Sequence, residues 1–185
     1  VSAGDQILVS TSLGSEFDSS VTALTDGGWV VTWTSTLNSL AIYSQAYDVT
    51  GTRVGGETLV ASVNNNDSFV TALTDGGWLV SWTSGSQIHI QRFNSSGGTV
   101  GEELLANTTT SGSREYSSAI GLRDGGWLVT WSSYGQDGSS HGIYSQRFDA
   151  DGNCLGGETL VNTERNSEQS HSSVASLADG GWVVT

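Results

Sequence analysis

The fold is decided by residues 26–33, DGGWVVTW, a stretch that returns three more times along the chain. The later copies begin at Asp75, Asp124 and Asp179, so the motif recurs after 49, 49 and 55 residues. An Asp-Gly pair between two runs of valine, leucine and tryptophan favours a tight β-hairpin, because the turn needs a positive φ angle that glycine adopts at little cost. The chain is therefore predicted to be a tandem repeat of one hairpin-containing unit.

Each complete unit is predicted to contain four short strands. The first strands read SSVTAL, SFVTAL, SSAIGL and SSVASL, and the second strands read WVVTW, WLVSW and WLVTW. The third strands read IYSQAY, IHIQRF and IYSQRF, and the fourth strands read ETLVAS, ELLANT and ETLVNT. No segment shows the 3.6-residue periodicity of an amphipathic helix over three turns. The predicted fold class is all-β, built from tandem four-stranded antiparallel repeats.

Radial repetition of such units is typical of the blades of a β-propeller. One position of the first strand carries only small residues, which suits an innermost strand where blades crowd the central channel. These residues are Ala23, Ala72, Gly121 and Ser176. A β-trefoil, which is also made of four-stranded lobes, is the alternative architecture.

The repeat divides the chain into units 15–63, 64–110 and 111–163, followed by a partial unit, 164–185. Residues 1–14 contain GDQILVST, which matches GGETLVNT and predicts a strand of the fourth type. This arrangement lacks one third strand for a closed ring of four blades. We therefore expect the chain to be part of a longer one or to form homo-oligomers through unpaired edges.

Composition excludes several partners. The chain has 19 acidic residues against 6 basic ones and a formal charge of −13, which repels phosphate backbones and anionic bilayers. No apolar run approaches the length of a membrane span, about 18 residues, so no membrane insertion is expected. The single cysteine, Cys154, excludes an intramolecular disulfide, and neither a thiol pair nor a histidine cluster is present for a transition metal.

The phrases DGGWVVTW, IYSQRFDADGN and GGETLVNT, in this order and spacing, resemble the tandem repeats of very large secreted and surface proteins of bacteria, often those with RTX-type calcium-binding regions. The resemblance covers nearly the whole chain from Gly4 onward. It implies export, a location outside the bacterial cell or on its surface, and a role in adhesion or surface structure. The GGxGxDxUx nonapeptides of RTX calcium rolls do not occur in this sequence.

Several repeated residues have a structural and a functional interpretation, and the structural one is preferred. Tryptophan pairs such as Trp29 and Trp33 are expected to pack between units instead of stacking on sugar rings. The glutamines of the third strands, with the arginines that follow two of them, are expected to satisfy buried backbone groups or repeated acids. They are Gln45, Gln91, Gln146, Arg92 and Arg147.

Calcium is the one cofactor that the sequence leaves open. Asp149, Asp151 and Asn153 place oxygen ligands at alternate positions, as calcium loops do. The equivalent runs begin at Asp48 and Asn94 and lack the second carboxylate. An Asx turn explains all three copies and is the preferred interpretation.

Specificity is expected at one end of the repeat. In an antiparallel unit, the near-identical turns after the first and third strands share one end, which we call the turn end. The variable connections after the second strand and before the first strand share the other, the loop end, where binding residues are usually placed. The candidates are one aligned position, Asp18, Asp67, Tyr116 and His171, and the longest insertion, Tyr134, Asp137 and His141. Variation without function is the alternative.

The sequence predicts no catalytic residue. The three histidines occupy different places in the repeat, and neither HExxH nor GxSxG occurs. The expected function is a non-enzymatic extracellular module for adhesion or recognition, with a surface glycan as ligand. The alternative is a structural spacer or a self-assembling subunit whose partner is another copy of itself.

Overall fold

The structure is a computed structural model that describes residues 6–11, 14–37, 39–63 and 67–185. These residues form fourteen β-strands and no helix, so none of them lies in a helix able to cross a membrane.

The strands make three four-stranded sheets and one two-stranded sheet. The first sheet contains β1 (Glu16–Ala23), β2 (Trp29–Ser35), β3 (Ala41–Tyr47) and β4 (Arg53–Ser62). The second contains β5 (Ser68–Ala72), β6 (Trp78–Ser84), β7 (Gln87–Phe93) and β8 (Thr99–Leu105). The third contains β9 (Arg114–Gly121), β10 (Trp127–Tyr134), β11 (His141–Phe148) and β12 (Thr159–Leu160). The fourth contains β13 (Val174–Ser176) and β14 (Trp182–Val184).

Every sheet is an antiparallel meander in which sequential strands are neighbours. The first strands of successive sheets lie beside one another, since β5 contacts both β1 and β9, and β9 also contacts β13. The predicted all-β, four-stranded and β-propeller-like architecture is therefore confirmed.

The DGGW hairpins form as the sequence predicts. Gly27 has a φ of 88°, and the Asp26 Oδ1 accepts a hydrogen bond of 2.8 Å from the Gly28 backbone N–H. The other three copies repeat this contact at 2.9, 3.1 and 2.9 Å. The motif aspartates thus close their own turns.

The core lies between neighbouring sheets. Trp127 and Trp131 of the third sheet share one buried cluster with Leu79 and Ile88 of the second. Trp78 and the other tryptophans of the second and third sheets are also almost wholly buried. The interpretation that tryptophans pack between units is confirmed for these residues, which have no exposed face for a sugar.

The innermost strands are crowded at the turn end. A Cβ placed on Gly121 would lie 2.6 Å from the Ala72 carbonyl oxygen of the neighbouring inner strand. Real Cβ atoms do not approach backbone so closely, because protein interiors are packed to crystal density. Crowding of the innermost strands therefore explains the small residues at this position, as the sequence predicted.

The third-strand glutamines also behave as predicted. The Gln45 side-chain amide donates to the carbonyl oxygens of Ala46 (2.8 Å) and Val54 (3.2 Å), and Gln91 and Gln146 make equivalent bonds.

The prediction of an N-terminal strand is wrong for the described residues 6–11, which form no strand; residues 1–5 and 12–13 lie outside the described part. Strands of the fourth type pair with a third strand, and no described third strand forms a ladder with this segment. Side chains of the first sheet hold it instead. Arg53 donates to the carbonyl oxygens of Leu8 (3.1 Å) and Val9 (2.8 Å), and the Glu57 Oε1 accepts from the Thr11 backbone at 2.6 Å.

Candidate functional site

The aligned residues at the loop end have an unusual backbone. Asp18, Tyr116 and His171 have φ angles of 50°, 57° and 59°, in the left-handed region that non-glycine residues seldom adopt. A β-bulge interrupts the ladder at this point in β1 and again in β9. Such strain costs on the order of 1–3 kcal/mol per residue and tends to occur at functional sites.

The structure brings these residues together. Asp18, Asp67 and Tyr116 line one open cleft of about 330 Å³ at the loop end, with Ser19 and Ser68 between them. The His171 ring stacks on Tyr116 with 3.8 Å between ring centroids and 24° between planes. The four predicted residues therefore form one continuous row across four successive units, and we call this row the axial cluster.

Asp67 is the electrostatically distinct member of the axial cluster. Burial raises the pKa of the Asp67 carboxyl above its usual range, and the nearby Asp18 carboxylate acts in the same direction. Hydrogen bonds from the Tyr116 backbone N–H (2.5 Å) and the Thr83 hydroxyl (3.4 Å) oppose this shift without cancelling it. Within the axial cluster, Asp67 is therefore the carboxyl group whose pKa the fold raises.

The residues of the long insertion form a second group. The Tyr134 and His141 rings meet edge to face at 5.1 Å, and the Asp137 Oδ1 accepts from the Ser139 backbone N–H at 3.0 Å. His141 lies between two acids, with Glu115 Oε1 3.4 Å from its Nε2 and Glu168 Oε1 3.7 Å from its Nδ1. Asp137 therefore closes its own loop, Tyr134 is exposed, and the His141 side chain is largely buried between the two acids.

The two groups adjoin each other. Glu115 precedes Tyr116 in β9, and the Gln169 backbone N–H, two residues before His171, donates to the His141 carbonyl oxygen at 2.9 Å. Sequence reasoning missed Glu115 and Glu168, because neither lies at the aligned position or in the long insertion. The position of Glu115 directly before the candidate residue Tyr116 was the one sequence feature that could have indicated Glu115.

A buried arginine supports the loop end of the third sheet. Arg114 has no exposed surface, and its Nη1 donates to the carbonyl oxygens of Ser111 (2.6 Å) and Gly112 (2.8 Å). Burial lowers the pKa of Arg114 from its usual value, while the charge of Glu158 acts in the opposite direction. Gln136 bridges the two, because it accepts from Arg114 at 3.4 Å and donates to Glu158 at 2.6 Å.

The calcium-like loop closes on itself. The Asp149 Oδ1 accepts from the backbone N–H groups of Asp151 (2.9 Å) and Asn153 (2.8 Å), and Asp48 and Asn94 make equivalent bonds. The Asx-turn interpretation is therefore confirmed for all three copies. Within the ranges that the structure describes, no group of three or more histidine, cysteine or acidic residues is placed to hold a metal ion.

No protein-family model matches the sequence, and no curated protein matches it. Solved structures do match the fold. They include a variant of the GH43 protein BlXynB from Bacillus licheniformis, at 14% identity and a TM-score of 0.56. They also include the arabinanase Arb43A from Bacillus subtilis (16%, 0.52) and an endo-arabinase from Bacteroides thetaiotaomicron (16%, 0.54).

The alignments cover 92%, 85% and 89% of this chain but only 36%, 64% and 67% of those three structures. The chain therefore spans about one third to two thirds of the length of the proteins it resembles. At these identities the likeness shows the fold alone.

The prediction that the chain is not an enzyme is contradicted by this comparison, because the fold neighbours include an arabinanase and an endo-arabinase. The absence of HExxH and GxSxG does not decide the question, because residues distant in sequence can share a site without forming a short motif. Asp18 in β1 and Asp67, directly before β5, line the same cleft.

Proposed function

We propose that the chain binds carbohydrate in the cleft at the axial cluster. The observation that carries this proposal is the convergence of two carboxylates and a stacked tyrosine–histidine pair on one open cleft. Carboxylate oxygens accept hydrogen bonds from sugar hydroxyls, and aromatic faces pack on the apolar side of a sugar ring. Tyr116 keeps 37% of its surface exposed, and the His171 ring covers one face of the Tyr116 ring.

The position of the axial cluster supports the same function. Its members come from successive units and converge on one face, so one ligand can contact several units at once. Three of its four members have the left-handed backbone conformation, which tends to occur at functional sites. The names of the fold neighbours, an arabinanase and an endo-arabinase, make arabinose-containing oligosaccharides the first ligands to test.

Isothermal titration with arabino- and xylo-oligosaccharides tests the proposal. We expect Tyr116→Ala and Asp18→Asn to weaken binding about tenfold or more, since each removes a contact group from the cleft. The matched control is Asp151→Asn, which makes the same charge change at an exposed residue of the turn end. The proposal fails if the unaltered chain binds no saccharide, or if the Tyr116 and control variants bind equally.

Cleavage of the bound saccharide is a second candidate function, and the raised pKa of Asp67 beside Asp18 favours it. Glycoside hydrolysis uses one protonated and one ionised carboxyl group on either side of the glycosidic bond. Asp67 would give its proton to the leaving oxygen, and Asp18 would take a proton from the attacking water, so that one bond breaks as another forms.

Release of reducing ends from arabinan and xylan tests this candidate. Asp67→Asn is expected to abolish release, because the amide cannot deliver the proton, and titration of this variant with the same saccharides shows whether it still binds them. No release by the unaltered chain would refute cleavage, and equal release by the two proteins would refute the role of Asp67 as the acid; either result leaves the binding proposal standing.

A further inference from the structure

Two carboxylates at the turn end have basic partners within the chain. Asp75 pairs with Arg92 at 3.1 Å, and Asp124 pairs with Arg147. Each pair joins the turn after a first strand to the end of the third strand in the same sheet. At this end, the chain itself supplies the cations that these carboxylates bind.

The cleft at the axial cluster is different. The chain has six arginines and no lysine, all six arginines lie in the described ranges, and none of them lines the cleft. Arg114 stands two residues before Tyr116, but it is fully buried and its Nη1 donates to two backbone carbonyl groups. Asp18 and Asp67 therefore share an open cleft that no arginine side chain lines.

Asp67 is stabilised in its ionised form by a nearby positive charge. Burial raises the pKa of its carboxyl group, and the charge of Asp18 acts in the same direction, so both oppose ionisation. The groups that lower this pKa are uncharged donors, the Thr83 hydroxyl and the backbone N–H groups of Tyr116 and Ser117. A cation between the two carboxylates offsets their mutual repulsion, which a neutral hydroxyl group cannot do.

The acceptors around the cleft match the donors of an ammonium group. Ser68 also lines the cleft, and its hydroxyl oxygen has no hydrogen-bond partner among the described residues. Together with the carboxylates of Asp18 and Asp67 it gives three acceptor groups, and a protonated amine has three N–H donors. The Tyr116 ring adds an aromatic surface, which attracts cations as well as sugar rings.

We propose that the saccharide bound at the axial cluster carries a protonated amino group, so that the preferred ligands are oligosaccharides of free amino sugars. The ammonium group lies between Asp18 and Asp67, and the sugar ring lies against Tyr116. A charge-assisted hydrogen bond is about twice as strong as a neutral one, so the charge decides the preference. This inference rests on the proposed carbohydrate binding and adds the charge of the ligand.

Titration with three oligosaccharides of equal length and linkage tests the proposal at pH 6, below the range in which amines lose their proton. They differ in one substituent of each sugar: the glucosamine oligomer has an ammonium group, the cello-oligosaccharide a hydroxyl group and the N-acetylglucosamine oligomer an acetamide. We expect the glucosamine oligomer to bind about tenfold or more tightly than either neutral one. Raising the salt concentration from about 0.05 M to about 0.5 M should remove most of this preference, because salt screens charges in an open cleft.

Variants of the chain locate the ammonium group. Asp18→Asn and Asp67→Asn should each lower the preference for the glucosamine oligomer over the cello-oligosaccharide about three- to tenfold, and the double variant should abolish it. The ratio of the two affinities separates loss of charge from loss of sugar contacts, which weakens both ligands alike. Asp151→Asn is the matched control, since it makes the same charge change at an exposed residue of the turn end and should leave the ratio unchanged.

The outcomes separate this inference from the proposed function. Equal binding of the glucosamine and cello-oligosaccharides, or tighter binding of the neutral one, would overturn the inference and leave carbohydrate binding standing. If no saccharide binds, those of arabinose and xylose included, both fail. Spermidine, an amine without a sugar ring, should bind about tenfold or more weakly than the glucosamine oligomer, because it lacks the sugar contacts. Equal binding of spermidine would mean that charge alone is recognised, and the assignment of an amino sugar would be wrong.

Discussion

The two ends of the repeat unit use aspartate in opposite ways. At the turn end, hydrogen bonds from Asn153 lower the pKa of Asp149, and the Gly126 backbone N–H and Arg147 lower that of Asp124. At the loop end, burial raises the pKa of Asp67. The turns stabilise the ionised form of the turn-end aspartates, whereas burial makes the Asp67 carboxyl group more basic.

The same contrast occurs along one strand. β9 ends at the turn end with Gly121, where no side chain fits beside the Ala72 carbonyl group. Near its loop end the strand bulges and exposes the ring of Tyr116. The turn end of the inner strands is therefore closely packed, and the loop end leaves an open cleft.

The largest effect is expected from the buried arginine that supports the loop end. Arg114→Met should lower the free energy of unfolding by about 3 kcal/mol, because it leaves the Ser111 and Gly112 carbonyl groups without their charged donor. The control is Arg123→Met, which alters an exposed residue of the turn end and should change it by less than about 0.5 kcal/mol. Urea unfolding measures the free energy of unfolding of both variants. Similar losses would contradict the conclusion that Arg114 supports the loop end.

The next effect tests crowding at the turn end. Gly121→Ala should cost about 1–3 kcal/mol, because the added methyl group must displace backbone of the neighbouring inner strand. Gly157→Ala is the matched control, since no atom lies within 4 Å of its added Cβ and its φ is not positive. Thermal and urea unfolding of both variants would settle the comparison, and a neutral Gly121→Ala would show that the inner strands can separate.

The features that the sequence predicts correctly are those whose contacts join residues close together along the chain or repeated in every unit. Hairpins, Asx turns and glutamine contacts involve residues close in sequence or repeated in every unit, so the pattern at Asp26 or Gln45 was sufficient. The strand expected at residues 6–11 failed because a strand exists only with a partner beside it.

The candidate site was only partly predictable for the same reason. Alignment of the units placed Asp18, Asp67, Tyr116 and His171 at one position of the repeat. Equivalent positions of neighbouring units lie next to one another in the structure. The left-handed backbone and the raised pKa of Asp67 arise from bulges and burial, which one-dimensional patterns do not contain. Full burial of Arg114 was equally hidden, because an arginine at the start of a strand is ordinarily exposed.

A smaller effect concerns the pH dependence of stability. A carboxyl group with a raised pKa in the folded state stabilises the fold at low pH, and this contribution is lost as pH rises through that raised value. The free energy of unfolding of Asp67→Asn, taken relative to that of the unaltered chain, should therefore increase between pH 3 and pH 7. For Asp149→Asn the sign reverses, because the lowered pKa of Asp149 stabilises the fold above the usual carboxyl range and loses its effect in acid.

Urea unfolding of the three proteins across this pH range tests both signs. The expected curves of the Asp67 and Asp149 variants, each taken as a difference from the unaltered chain, have opposite slopes. Parallel slopes would mean that Asp67 is as well satisfied as the turn-end aspartates, and the contrast between the two ends would fail.

The smallest effect separates the two contacts of a turn aspartate. Asp75 accepts from the Gly77 backbone N–H and pairs with Arg92, whereas Asp26 has Ala46 at the arginine position and makes the turn contact at Gly28. Replacing either aspartate by alanine should cost about 1 kcal/mol from the lost turn contact. Asp75→Ala should cost a further 0.2–1 kcal/mol, about the value of an exposed ion pair, and this excess should vanish when Arg92 is also replaced. Saccharide affinity should not change in either variant, because both residues lie at the turn end, so a loss of affinity at unchanged stability would mean that ligands bind at both ends.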